Sequence, residues 1–143
     1  MFLGAVASTG EVSPPIWFKE GFCLDADSYI KELDKTLIPG MRAVSAVHGS
    51  ATTLAPFIWP QDSAPAHRAK KKTMNFLRAQ KIPFWSQEQW PPNLPDLYPL
   101  DYAICSKVSS GACKTHPKSV TALKSQVSKY WNNMDPEEIR KIC

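Results

Sequence analysis

Two aspartates stand where a folded chain can present a carboxylate to a metal ion. Asp62 lies in the string QDSAPAH, running from Gln61 to His67, and Asp101 lies in WPPNLPDLYPLDY, running from Trp90 to Tyr102. Carboxylate oxygens suit hard cations, so the pair points to Mg²⁺ or Mn²⁺ rather than to a soft metal. Two such ions, held about 3.5–4 Å apart, drive phosphoryl transfer by activating the attacking oxygen and stabilising the leaving one. His67, one helical turn beyond Asp62, is placed to touch substrate or orient a water. Arg68, Lys70, Lys71 and Lys72 follow, and such a cluster contacts phosphate or serves as a nuclear import signal. Plainer accounts stand beside these. An aspartate after an apolar run is often a turn former or helix cap, and lysines often line a solvated helix face. The residue types alone leave both accounts open.

The elements that must carry these residues are legible from pattern. LAPFIW (54–59) reads as a buried strand running into Asp62, and ligands in open α/β sheets bind at the carboxyl ends of strands. Pro65 opens a helix to about residue 80, with Ala66, Ala69, Thr73, Phe76 and Leu77 facing inward. IPFW (82–85) reads as a further core strand or extended segment, followed by a proline-rich loop from Trp90 to Pro99. A helix starting near Leu100 puts Asp101 in its first turn, where the helix dipole favours the ionised form.

Upstream, FLGAVAS (2–8) and IWFK (16–19) read as strands, joined by the turn-like STGEVSPP into a hairpin that ends at Gly21. Asp25 or Asp27 caps a helix whose inner face is Ile30, Leu33, Leu37 and Ile38, and Pro39-Gly40 stops or bends it. Residues 46–53 are small and polar and read as a loop. Downstream, Val120, Leu123, Val127, Tyr130, Trp131 and Met134 form one helical stripe, read as core or as a partner face. Asp135-Pro136-Glu137-Glu138 has the order of a capped helix start. Strand, strand, helix, strand, helix, strand and helices in that order describe an α/β sandwich.

The 143 residues suit one domain or less, with a core of ordinary size. A net charge of +4 is compatible with a polyanionic partner without demanding one. Cys23, Cys105, Cys113 and Cys143 form no CxxC pair, which reads as reduced thiols, and Cys105, Cys113 and His116 fit no standard zinc spacing. The opening MFLGAVASTG lacks a charged signal-peptide start, and no run reaches the roughly 18 apolar residues of a membrane span. A soluble intracellular protein is the expectation.

The two aspartate strings together resemble the mariner-type transposases of the DD[E/D] superfamily. The family pattern is Gln-Asp-(Asn or Gly)-Ala-Pro-x-His, then Trp-Pro-Pro-x-Ser-Pro-Asp-Leu-x-Pro-(Asp or Glu). Gln61, Asp62, Ala64, Pro65 and His67 fit the first string; Trp90, Pro91, Pro92, Pro95, Asp96, Leu97, Pro99 and Asp101 fit the second. GAVASTG, PPIWFKEG and SYIKELDKTLIPGM are also similar to the family, so the resemblance spans nearly the whole chain.

The resemblance implies an RNase H-like mixed sheet flanked by helices, and metal-dependent DNA cleavage and strand transfer. It makes Asp62 the second and Asp101 the third catalytic acid, both ligands of Mg²⁺ or Mn²⁺, and implies DNA as substrate, a dimer and a nuclear location, with the cytoplasm as the alternative. It also implies departures. The family's first aspartate lies on a central strand before GAVASTG, and its helix-turn-helix region lies further upstream. The expectation for 1–143 is therefore a partial catalytic domain lacking that strand and the helix-turn-helix, inactive alone, with weak or absent metal binding. Ser63 stands for the usual Asn or Gly, Leu94 for the usual Ser, and Pro60 removes a ladder hydrogen bond near Asp62. A different reading is a non-catalytic module that binds DNA or associates with full-length transposase; a third is a decayed reading frame without function.

Overall fold

The computed structural model describes residues 1–47, 57–60, 72–85, 98–114 and 116–143. In chain order its elements are strands β1 (Phe2–Leu3) and β2 (Ile16–Trp17), and helices α1 (Ala26–Glu32), α2 (Ile38–Val47), α3 (Lys72–Ala79), α4 (Cys105–Cys113), α5 (Val120–Asn132) and α6 (Pro136–Ile142). Two π-helical turns, Leu33–Leu37 and Leu100–Ile104, run directly into α2 and α4. The described fold is helix-rich and mixed, with a small antiparallel sheet of two strands. Two compact units make up the chain. One combines Met1–Glu20 with Leu94–Cys143; the other is Gly21–Asn93.

In the first unit β1 and β2 pair antiparallel, Phe2 opposite Trp17 and Leu3 opposite Ile16. The expected hairpin is there, with a shorter ladder than the apolar run 2–8 suggests. Pro14 and Pro15 have no N–H to donate, which interrupts the pairing. Ser13 takes over part of it. Its hydroxyl accepts from Ala5 N–H at 2.8 Å, and its own N–H donates to Ala5 C=O at 2.8 Å. Beyond it a bridge joins Val6 to Val12, and Gly10 turns the chain at φ +101°, a conformation that favours glycine.

The core of this unit is Ile104, Val108 and Trp131, with Phe2, Val6, Val12, Leu100, Val127, Met134 and Ile142 packed against it. The Trp131 indole lies edge-on to Phe2 with centroids 5.3 Å apart, and its Nε1–H donates to Ser13 C=O at 2.7 Å. The hairpin is thus fastened to α5 by an aromatic contact and a satisfied buried donor. The stripe read on α5 divides. Val127, Trp131 and Met134 pack inward, while Val120, Leu123 and Tyr130 are exposed. Val120 and Leu123 lie on the same side of the helix but in its first turn, N-terminal to the packed stretch, and Tyr130 lies at the edge of the stripe against Gly111.

The start of α6 is as read from sequence. Asp135 accepts from Glu137 N–H at 3.0 Å, Pro136 is the first helical residue, and Glu137 and Glu138 occupy the first turn. Arg140 and Lys141 complement the dipole at the other end. Arg140 Nε also donates to Thr9 C=O at 2.9 Å, tying the hairpin turn to α6.

In the second unit Asp25, not Asp27, caps α1, accepting from Ser28 N–H at 2.8 Å. Tyr29, Leu33, Leu37 and Ile38 are buried, close to the expected inner face. Pro39-Gly40 does not stop the helix, which continues to Val47. The π turn just before explains this. Ile38 N–H bonds to Leu33 C=O, a wide turn that relaxes the carbonyl ladder where the Pro39 ring would otherwise collide with it. Of the residues expected to form a loop at 46–53, Ala46 and Val47 are therefore helical; the rest lie outside the described residues. α3 packs on α1 and buries Thr73 and Leu77, as its periodicity implies.

Trp59 and Phe84 form a parallel bridge, with Trp59 N–H donating to Pro83 C=O at 2.8 Å and Trp85 N–H to Trp59 C=O at 3.2 Å. The sequence marks the first segment as a strand and IPFW as a strand or extended segment; in the structure they meet at one bridge. Residues 54–56 lie outside the described residues.

Candidate functional site

Asp101 is an exposed residue in the first turn of the π-helical segment that leads into α4. Its backbone N–H donates to Tyr98 C=O at 2.9 Å, which closes the turn after Pro99. Pro99 suits this position because its missing N–H lies among those a helix start leaves unpaired. Leu100, just before Asp101, packs on the core of Ile104, Val108 and Trp131. Tyr102, just after it, donates its phenol O–H to Ile142 C=O near the end of α6. The residue bearing the carboxylate thus sits between two anchored neighbours.

Cys105 follows one turn later. Its thiol pKa is raised, first by burial and then by the negative charge of Asp101. Burial likewise raises Cys143. All four cysteines are free thiols.

Lys72, the one described member of the basic cluster, begins α3 in the second unit. Its ammonium donates to both carboxylate oxygens of Asp27, at 2.8 and 2.9 Å. That hydrogen bond, with the charge of Asp27, raises the Lys72 pKa. The pair is exposed and hence weak. Asp62, His67, Arg68, Lys70 and Lys71 lie outside the described residues.

The donor chemistry of Asp101 fits a hard divalent cation: an exposed oxygen ligand at a helical start. Among the described residues no three His, Cys, Asp or Glu side chains gather as a metal-binding group. Nor is any described helix long and apolar enough to cross a membrane. Sequence reasoning missed Asp27 and Tyr102. Their partners lie 45 and 40 residues away along the chain, so no local pattern marks them.

A likeness to a solved protein extends this description. The chain superimposes on a crystal structure of the catalytic domain of Mos1 mariner transposase with a TM-score of 0.75, at 18% sequence identity, over 94% of its own length. The fold is similar to that of a mariner transposase catalytic domain. The chain spans 62% of the length of that neighbour. No family model and no curated protein matches the sequence.

Proposed function

We propose that the chain is a transposase-related domain of mariner type, in which Asp62 and Asp101 are ligands of Mg²⁺ or Mn²⁺. The observation that carries this reading is the superposition on a mariner catalytic domain by a chain whose two aspartate strings independently resemble that family. Its finer form is an RNase H-like sheet with Asp62 after the strand that Trp59 enters and Asp101 at the start of the helix leading into α4. The parallel bridge of Trp59 and Phe84 supports it, because parallel pairing is what returns a chain to one edge of an α/β sheet.

A divalent ion held there would polarise a phosphodiester and activate an attacking water or 3′-hydroxyl. The chain's own groups have narrower tasks. Asp62 and Asp101 supply oxygen ligands, and His67 orients water or touches the DNA backbone. Arg68, Lys70, Lys71 and Lys72 engage phosphates. DNA is the proposed substrate, acting in the nucleus, with a second copy or full-length transposase as protein partner.

Two acids bind one ion weakly rather than two in register, so Asp62 and Asp101 by themselves would support binding rather than strand cleavage. Incubation with supercoiled plasmid and Mn²⁺ tests this. Nicking that disappears in Asp62→Ala would overturn the binding-only reading. Loss of DNA binding with rising salt, without nicking, supports it.

A further inference from the structure

We infer that Tyr102 is a positioning residue for the Asp101 carboxylate, acting through its bond to the end of α6. The inference rests on Asp101 being a metal ligand, as proposed above. Three observations carry it. Asp101 sits in a π-helical turn, Leu100–Ile104, where the helix is wider than usual and its backbone direction depends on outside contacts. Leu100 fixes one side of Asp101 by packing on the core formed by Ile104, Val108 and Trp131. Tyr102 fixes the other side, because its phenol donates to Ile142 C=O.

Ile142 itself packs on that same core, so the acceptor is held in place. α6 is further secured by the Asp135 cap and by Arg140 reaching Thr9 C=O. The phenol thus joins the turn carrying the carboxylate to a helix that is anchored at both ends. The tyrosine is 43% exposed and contributes little to the core, which separates a positioning role from a packing one. A metal ligand held in one direction loses less freedom on binding than one that swings.

The test is a Mn²⁺ titration of the 143-residue polypeptide, followed by paramagnetic broadening of the amide resonances of residues 100–105. Four proteins are compared: the parent, Asp101→Asn, Tyr102→Phe and Tyr130→Phe. Tyr130 is an exposed tyrosine of the same unit with no bond to the Asp101 turn in the structure. Asp101→Asn abolishes the broadening. Tyr102→Phe weakens Mn²⁺ binding by about tenfold, the lower range for groups that orient a metal ligand. Tyr130→Phe leaves binding unchanged, and thermal melts of both phenylalanine variants match the parent.

If Asp101→Asn abolishes binding and Tyr102→Phe leaves it intact, the positioning role is wrong and the metal reading stands. If Asp101→Asn changes nothing, the metal reading fails and the inference with it. If Tyr102→Phe lowers the melting temperature, binding is compared at a temperature where both proteins are fully folded; equal affinity there overturns the inference.

Discussion

Gly4 lies directly beneath the indole of Trp131: a methyl group on its α-carbon would stand 2.4 Å from Cζ2 and 2.8 Å from Cη2 of that ring. The indole cannot move aside, because it is buried, edge-on to Phe2 and bonded through Nε1 to Ser13 C=O. The glycine is therefore what lets β1 approach α5 closely enough to close the core of the first unit. Gly4→Ala is expected to cost about 1–3 kcal/mol, the usual range for overpacking. Urea unfolding measures this. Trp131→Phe in the same background should recover part of the loss, a coupling that independent sites would not show.

Gly40 is the opposite case. It lies exposed near the start of α2, with nothing within 4 Å of the place a methyl group would occupy. Gly40→Ala should stabilise the protein by about 0.4–1 kcal/mol, because alanine loses less backbone freedom on forming a helix. A lowered melting temperature would mean that the backbone there departs from a helix.

Acid should weaken the start of α1. The backbone N–H of Ser28, with its hydroxyl, holds the Asp25 carboxyl below the ordinary aspartate value. A carboxylate whose pKa is depressed on folding stabilises the fold fully above its unfolded value. That contribution fades as pH falls through the folded value. Asp25→Asn keeps a capping oxygen but cannot titrate, so its melting temperature should fall less steeply below the ordinary carboxylate range. Parallel acid limbs for the two proteins would remove Asp25 from the account.

Cys105 reports the charge on Asp101. Burial and the Asp101 carboxylate both raise its pKa, so at neutral pH the reactive thiolate is scarce. Asp101→Asn removes the second cause and leaves the first. With the other three cysteines replaced by serine, alkylation of Cys105 should shift to lower pH in Asp101→Asn, while staying slower than that of a free thiol. An unchanged pH profile would show that the Asp101 charge does not reach the sulfur.

Local signals in the sequence translated well. The order Asp135-Pro136-Glu137-Glu138 specifies a helix start through groups within four residues, and it forms as written. Thr73 and Leu77 follow helical spacing into the core for the same reason. Failures arose where distant or irregular structure decides. Pro39 reads as a stop or a bend because a regular helix cannot hold it, and no propensity announces the π turn that makes room. The α5 stripe shows which side is apolar but not how far along it the hairpin and α4 extend, so Val120 and Leu123 remain exposed. Of the candidate site, sequence placed Asp101 correctly at a helix start, while the Asp27 contact to Lys72 depends on how α1 and α3 pack.

The central proposal is that Asp62 and Asp101 are each ligands of a divalent ion, and isothermal titration of the polypeptide with Mn²⁺ tests it most directly. The account predicts weak binding of one ion, lost in Asp62→Ala and lost equally in Asp101→Ala, with both variants still folded. Binding that survives either substitution would contradict it.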